Sequence, residues 1–392
     1  MRKIELGAFE ITYKMKERVS QALNLGRLSY GPLSQEFETR SAQMHGCKYG
    51  VLSNSGTSSL LVALQTLKEL HGWQDGDEVI VPALTFVSTI NVVLQLRLKP
   101  VLVDIEPDYY GLNPFYSIEH NTQLRKVITK KTRCIIPVHT FGQPADMYSI
   151  KAIADNAGLK ILIDSCESML VNHHRKPIGF WGDIACFSTY VAHLLVTGVG
   201  GLSTTNNPEY SQYMRSLVNH GIDLSELPTG EQYDTTWFNR KFSFNKVGHS
   251  FRLTEIEAAI GLAQLDDLAD IIKQRQSNAA YLSAGLADLQ DRLQLPKVRP
   301  NTESAFMMYC LVCLQDGIRD NLMRYLNENG IGTRLALPLI RQPVYKGLWD
   351  PDDYLVADWM DRQAFYIGCH QGLSVEDLDY MIETIKDFYA TN

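Results

Sequence analysis

Short apolar runs alternate with helical patterns over the first two thirds of the chain. The apolar runs cover residues 79–81, 101–104, 134–138, 161–164 and 184–187. Helical periodicity covers residues 34–45, 57–70 and 146–156. Strands that are covered on both faces are continuous apolar runs, and their alternation with helices is typical of a parallel sheet between helical layers. The pattern therefore predicts an α/β fold with a mostly parallel central sheet.

The last third of the chain has a different pattern. Helical periodicity is present over residues 254–265, 321–329 and 375–389. We predict an N-terminal arm with a large α/β domain over residues 1–255, and a smaller C-terminal α+β domain over residues 256–392. The stretch 222–246 contains proline, glycine and several aromatic residues and is predicted to be a long loop.

Five polar residues closely follow apolar runs: Thr85, Asp104, His139, Asp164 and Ser188. Open α/β sheets bind their ligands at the carboxyl ends of the strands. We therefore expect these five side chains to converge on one crevice.

The composition restricts the classes of partner. The 392 residues are 45% hydrophobic and carry a net charge of −7, without the basic cluster of a nucleic-acid-binding surface. No stretch approaches the roughly 18 apolar residues of a membrane span, and the N-terminus lacks the apolar core of a signal peptide. The seven cysteines are scattered, so we expect reduced thiols in a cytoplasmic protein. Cys310 and Cys313 have apolar surroundings, which favour a buried strand over a metal site.

Candidate chemistry lies in three segments, each of which also has a structural explanation. Gly56, at a predicted helix start, lets a phosphate approach free N–H groups, but a plain helix cap explains it as well. Asp164 is a carboxylate at a buried strand end, which needs either a cationic ligand atom or an ordinary ion pair. His193 follows Ser188 in a glycine-rich loop, where a structural histidine is the commoner case.

A series of motifs runs along the chain in a defined order: Tyr30-Gly31-Pro32, Ser55-Gly56-Thr57, Pro82-Ala83-Leu84-Thr85-Phe86, Asp164-Ser165-Cys166-Glu167, Gly198-Val199-Gly200-Gly201, Asn219-His220-Gly221 and Arg252-Leu253-Thr254-Glu255. In this order and spacing they resemble the sugar aminotransferase superfamily (DegT/DnrJ/EryC1/StrS), nearly from end to end. The resemblance implies the aspartate-aminotransferase-like fold (PLP fold type I), a pyridoxal phosphate cofactor and a homodimer with shared active sites.

The resemblance also assigns cofactor contacts by position. It implies that the cofactor phosphate is bound by Gly56, Thr57 and Ser188. It further implies that Phe86 stacks on the pyridine ring, that Asp164 pairs with the ring nitrogen, and that Glu167 lies beside the ring.

His193 is the decisive departure from the aminotransferases, which carry a lysine at this position. No lysine occurs between Lys176 and Lys241. An imidazole cannot form the covalent link to the cofactor that a primary amine forms, but it transfers protons near neutral pH. The substitution is similar to that in the 3-dehydratases of nucleotide-linked 4-keto-6-deoxy sugars, such as the GDP-linked keto sugar of the colitose pathway. Glu167 and the segment Gly368-Cys369-His370-Gln371 resemble the same branch.

That branch implies a specific reaction. Pyridoxamine phosphate would be bound non-covalently, His193 would remove a proton as the base, and the sugar would lose its C3 hydroxyl group. Glutamate is the implied amino donor, and a nucleotide sugar the implied substrate. Family position places His220 near that substrate, and the family pattern favours His370. Arg334 and Arg252 could bind a diphosphate, since a guanidinium group matches phosphate geometry. A helix cap explains His220 as well, an ion pair explains the two arginines, and a core position explains His370.

Four further positions depart from the family pattern. Val199 replaces a glutamate, Leu194 a histidine, His249 a tyrosine, and Ser250 an asparagine that reaches the cofactor phosphate of the neighbouring subunit in relatives. Two other readings therefore stay open: transamination or isomerisation of a keto sugar with His193 as the base, and a non-catalytic sugar-binding or cofactor-binding relative.

Overall fold

The computed structural model describes residues 2–115, 124–223 and 242–391. The helices are α1 (Tyr13–Asn24), α2 (Pro32–Met44), α3 (Gly56–Leu70), α4 (Val87–Gln95), α5 (Met147–Ala157), α6 (Pro208–Leu217), α7 (Glu255–Leu265), α8 (Leu268–Gly285), α9 (Arg319–Glu328), α10 (Leu355–Gln363) and α11 (Val375–Thr391). The strands are β1 (Tyr49–Ser53), β2 (Glu78–Pro82), β3 (Lys99–Val103), β4 (Thr132–Ile135), β5 (Lys160–Asp164), β6 (Asn172–His173), β7 (Lys176–Pro177), β8 (Ile184–Ser188), β9 (Gly201–Thr205), β10 (Leu293–Gln294), β11 (Tyr309–Cys313), β12 (Thr333–Leu335) and β13 (Ala364–Ile367). Most of the loop predicted at 222–246 lies outside the described residues.

A seven-stranded sheet with the order β1-β9-β8-β5-β4-β2-β3 forms the centre of the molecule. The neighbouring pairs from β3 to β8 are parallel, and β9 runs antiparallel to both of its neighbours. Every residue of β2, β8 and β9 is buried, because helices such as α3 pack against the sheet. The predicted α/β fold with a mostly parallel sheet is confirmed.

The expected convergence of five polar residues is correct for three and wrong for two. Thr85, Asp164 and Ser188 line one cavity. Asp104 instead accepts hydrogen bonds from the first amides of α10, those of Val356 and Ala357, each at 2.9 Å. His139 is buried in the loop after β4, where its Nδ1 accepts a hydrogen bond from the Ala145 amide at 3.2 Å. Both side chains accept hydrogen bonds from backbone amides outside the cavity, and neither lines it.

A second, antiparallel sheet with the order β10-β11-β13-β12 organises the C-terminal part. Cys310 and Cys313 lie fully within the buried strand β11, as the apolar surroundings predicted. Ile4 joins the core of this sheet and pairs with Ile331, so the N-terminal segment packs on the C-terminal part. The division at residue 255 remains a prediction. Within the described ranges, no helix is both long and apolar enough to span a bilayer, and no three His, Cys, Asp or Glu side chains are grouped to bind a metal.

Candidate active site

A cavity of about 420 Å³ lies at the carboxyl ends of β2, β5 and β8. Seven of the predicted site residues line it: Gly56, Thr57, Phe86, Asp164, Glu167, Ser188 and His193. The C-terminal part of the chain supplies the opposite wall, with the apolar or aromatic residues Met307, Met308, Leu337 and Tyr366. The cavity therefore lies between the two sheets.

The first turn of α3 forms one end of the cavity. Ser55 caps this helix by accepting a hydrogen bond from the Ser58 amide at 3.1 Å, and Gly56 is its first residue. A β-carbon at Gly56 would lie 2.8 Å from the β-carbon of Ser188 and 2.9 Å from the sulfur of Cys166. Because only glycine allows this approach, the start of α3 lies directly against Ser188, and both line the cavity. Such a helix start binds phosphate.

Asp164 ends β5 with a fully buried carboxylate. Its Oδ2 accepts a hydrogen bond from the Thr89 hydroxyl group at 2.8 Å, and its Oδ1 accepts one from the Cys166 amide at 3.1 Å. Thr89 in turn bonds to the hydroxyl group of Thr85 at 2.8 Å. Burial raises the pKa of Asp164, and no basic side chain of the described residues offsets it. A carboxylate in this setting gains from a cationic ligand atom in the cavity.

His193 lies in the loop between β8 and β9, at the edge of the cavity. Paired threonine hydroxyl groups, Thr189 and Thr197 at 2.6 Å, hold the loop closed at its base. The Nδ1 of His193 lies 3.3 Å from the Ser188 carbonyl oxygen. Since a carbonyl only accepts, the contact assigns the hydrogen to Nδ1 and leaves the lone pair on Nε2. Burial lowers the pKa of His193 to about 4, so the ring is neutral at pH 7.

Glu167 is a second carboxylate of the cavity, and Phe86 lies at its mouth. Oε2 of Glu167 accepts a hydrogen bond from the Phe141 amide at 2.7 Å. Burial, with a smaller contribution from the nearby Asp164, raises the pKa of Glu167 to about 7. The ring of Phe86 is 57% exposed, which leaves its face available to a planar ligand.

Two predicted site residues, His220 and Ser250, lie on the exposed surface outside the cavity. Arg252 joins them, since its Nη2 donates a hydrogen bond to the Ser250 hydroxyl group at 3.0 Å and lies 3.3 Å from Nε2 of His220. His220 adopts a left-handed backbone with φ of +63°. Within one chain this surface group is separate from the cavity.

Arg334 and His370 also lie outside the cavity lining. Arg334 is exposed in β12, paired in register with Tyr366 of β13, so its side chain lies on the face that borders the cavity. His370 is buried, with its Nε2 lying 3.1 Å from the backbone oxygen of Glu5. His370 therefore has the structural surroundings of a core histidine.

The residues of the opposite wall were not predictable from the sequence. Met307, Met308 and Leu337 carry no signal that separates them from ordinary core residues, and Tyr366 belongs to a strand of mixed apolar residues. Thr89 was also missed, although it lies four residues after Thr85, one helical turn away.

The chain matches a known protein family over nearly its whole length. A model of the DegT/DnrJ/EryC1/StrS aminotransferase family matches residues 10–386. The chain is 32% identical to the GDP-perosamine synthase of Caulobacter vibrioides, over 91% of this chain and 90% of that protein. It is 28% identical to the lipopolysaccharide biosynthesis protein RfbH of Salmonella typhimurium, over 94% of this chain and 87% of that protein. The E. coli GDP-4-keto-6-deoxy-D-mannose-3-dehydratase with bound hydrated PLP superposes with a TM-score of 0.88 at 26% identity, covering 98% of this chain and 100% of that one.

Proposed function

Because the chain belongs to the DegT/DnrJ/EryC1/StrS aminotransferase family, we propose that it is a dehydratase of nucleotide-sugar biosynthesis. Its substrate would be a nucleotide-linked 4-keto-6-deoxy sugar, from which it removes the C3 hydroxyl group. One observation carries the proposal: His193, which the family resemblance aligns with the aminotransferase lysine, lines the cavity, and no lysine lines it in the described part of the chain.

The cofactor of the family is pyridoxal phosphate, and the cavity fits it. The start of α3 and Ser188 would hold the phosphate, Asp164 would face the ring nitrogen, and Phe86 would cover the ring. Asp164 supports this placement, because no basic side chain of the described residues offsets its buried carboxylate. When bound in its amine form, the cofactor supplies a primary amine that can join a ketone and a protonated ring that accepts electrons.

Two side chains of the cavity, His193 and Glu167, can transfer protons. Nε2 of neutral His193 accepts the proton that must leave, and the same atom can return it to the departing oxygen. An imidazole does not tether the cofactor, so the cofactor is held by non-covalent contacts alone. Glu167, with its pKa of about 7, can hold or release a proton at the working pH.

The overall reaction balances with glutamate as the amino donor. The keto sugar loses its C3 oxygen, glutamate loses its nitrogen and two electrons, and the products are the 3-deoxy-4-keto sugar, 2-oxoglutarate and ammonia. The cavity wall of Met307, Met308 and Leu337 is suited to the apolar 6-deoxy end of such a sugar.

The nucleotide end of the substrate requires basic groups near the mouth. Arg334 is exposed beside the cavity-lining Tyr366, and a guanidinium group matches phosphate geometry. We further propose a homodimer in which the exposed group of His220, Ser250 and Arg252 contributes to the site of the partner subunit. This placement would explain why predicted site residues lie on the surface of a single chain.

The test is incubation of the protein with pyridoxal phosphate, glutamate and GDP-4-keto-6-deoxymannose, the substrate of the E. coli relative. Dehydration yields ammonia and a sugar that lacks one oxygen by mass spectrometry, and borohydride attaches no cofactor to the protein. A His193→Asn variant, of similar polarity but without the base, should release no ammonia.

Transamination is the second candidate, because a GDP-perosamine synthase is 32% identical over most of the chain. It would place the glutamate nitrogen on the sugar without free ammonia. An amino sugar as the product would overturn the dehydratase proposal and support this alternative.

A further inference from the structure

The loop after β4 contains a strained turn, Thr140–Gly142, whose backbone contacts residues that line the cavity. Phe141, in the middle of this turn, has φ of +58° and ψ of +16°. This left-handed conformation is unfavourable for an aromatic residue, and it persists only where the surrounding contacts impose it. The contacts that impose it here lead to both halves of the cavity.

The backbone of the turn connects a carboxylate of the large sheet with the opposite wall. The amide of Phe141 donates to Oε2 of Glu167 at 2.7 Å. On the other side, the Phe141 carbonyl accepts a hydrogen bond from the Met307 amide at 3.1 Å, and the Gly142 carbonyl accepts one from the Ala305 amide at 2.9 Å. The two peptide groups of one residue therefore reach two cavity-lining residues from different parts of the chain.

The side chain of Phe141 adds a third connection. Its ring lies 5.9 Å from the ring of Tyr110 and 5.9 Å from the ring of Tyr366, which lines the cavity. Such edge-on and tilted contacts fix the relative orientation of aromatic rings. Tyr366 is thus oriented by the residue whose amide holds Glu167.

We propose that Phe141 is a positioning residue, whose turn fixes the Glu167 carboxylate relative to the cavity wall of Met307 and Tyr366. The proposal rests on the cofactor placement proposed above, because the test detects the titration of Glu167 through the absorbance of the bound cofactor. It does not depend on dehydration, because its test contains no sugar.

Gly142 provides the sharpest perturbation of the turn. A β-carbon there would lie 2.7 Å from the Phe306 nitrogen and 2.9 Å from the Met307 nitrogen, both rigid backbone atoms. Gly142→Ala must therefore displace either the turn or the wall. Gly158 is the matched control: its φ of +66° is also left-handed, but a β-carbon there meets nothing within 4 Å. Gly158→Ala carries a similar conformational penalty without the displacement.

The measurement is the absorbance of bound pyridoxal phosphate as a function of pH. In the parent protein we expect a transition near pH 7 that disappears in Glu167→Gln, which identifies the group. The other titratable groups that face Glu167 in the described chain are Asp164, Cys166, Cys310 and Tyr366. Burial raises the pKa of both thiols and of the phenol, so these three stay protonated at neutral pH.

The Phe141 amide favours the charged form of Glu167, so its loss raises the midpoint. Gly142→Ala should shift the midpoint upward by roughly one pH unit, while Gly158→Ala leaves it in place. Phe141→Leu retains the amide but removes the ring, so it should shift the midpoint upward by less than Gly142→Ala does. If Gly142→Ala does not fold, the midpoint of Phe141→Leu tests the proposal. Equal midpoints in the parent and in the turn variants would overturn the proposal. A transition that survives in Glu167→Gln would overturn it too.

Discussion

Replacement of Asp164 by asparagine should change protein stability and cofactor affinity in opposite directions. The pKa of Asp164 is raised by burial, so at neutral pH its charge disfavours folding. Asparagine has the same shape and removes that charge. Its oxygen can accept from the Cys166 amide, and its NH₂ group can donate to Thr89, whose hydroxyl group can then donate to Thr85.

The sign of the stability effect depends on pH. A carboxyl group with a raised pKa in the folded state destabilises the fold only where it is ionised when unfolded. We therefore expect apo Asp164→Asn to melt at a higher temperature than the parent at pH 7. The difference should shrink as the pH falls toward about 3.9, the ordinary pKa of aspartate, and vanish below it, where both states are protonated.

The affinity effect follows from the lost charge opposite the ring nitrogen. A hydrogen bond to a charged group contributes about 1.5–3 kcal/mol, so the dissociation constant for pyridoxamine phosphate should rise about 10- to 150-fold. Calorimetric titration measures the affinity, and thermal unfolding of the apo protein measures the stability.

Asp104→Asn is the matched control, because this buried carboxylate accepts from the amides of Val356 and Ala357 and lies away from the cavity. It should lower the melting temperature and leave cofactor affinity unchanged. An Asp164→Asn protein that is less stable when apo, and binds the cofactor as the parent does, would refute the reasoning.

Three further predictions concern the same cavity. His193→Lys restores a primary amine, so borohydride should attach the cofactor to the protein and ammonia release should stop. Mass spectrometry of the reduced protein would detect the attachment, and a protein without covalent cofactor would contradict the prediction. Gly56→Ala places a β-carbon 2.8 Å from that of Ser188. Equilibrium dialysis should therefore show cofactor binding weakened by about tenfold or more, the equivalent of about 1.4 kcal/mol, and unchanged binding would argue against the phosphate site. The rate of ammonia release should change near pH 7, where Glu167 titrates, and fall only toward pH 4, where His193 becomes charged. Glu167→Gln should abolish the change near pH 7 and retain the fall toward pH 4.

The fold was predictable from sequence where buried strands are continuous apolar runs. The strands β2, β5 and β8 were located in this way. Helix α4 connects β2 to β3 and α5 connects β4 to β5, as parallel crossovers require, whereas the connection from β5 to β8 contains no α-helix. Strand β9 was missed, because its sequence Gly201–Thr205 consists mainly of small and hydroxyl-bearing residues. It is nevertheless fully buried, since it lies between β1 and β8 and runs antiparallel to both. Of these two strands, β1 is distant in sequence. Periodicity reports local burial and carries no information on such pairing.

The site was predictable where a residue's position depends on its own strand. Asp164 and Ser188 end their strands at the sheet edge that binds ligands, and they line the cavity as expected. Asp104 has the same sequence setting, yet it caps α10, which begins about 250 residues later in the chain. No local pattern distinguishes these two uses of a strand-end carboxylate. The opposite wall, Met307 with Tyr366, was hidden for the same reason, since it depends on how the second sheet packs.

The proposed replacement of the cofactor-binding lysine by a histidine base would place new demands on the rest of the cavity. An enzyme with the lysine gains cofactor affinity from a covalent bond, whereas in the proposed site the contacts with phosphate, ring nitrogen and ring face would have to supply all of it. The cavity has the features that such contacts require: Gly56 allows a close approach at the helix start, and within the described ranges no basic side chain offsets the buried Asp164 carboxylate. A cavity that had lost its cofactor would have no reason to keep an unfavourable buried carboxylate. The retained Asp164 thus argues for a bound cationic ring, and it is why this residue should be the most sensitive probe of cofactor binding.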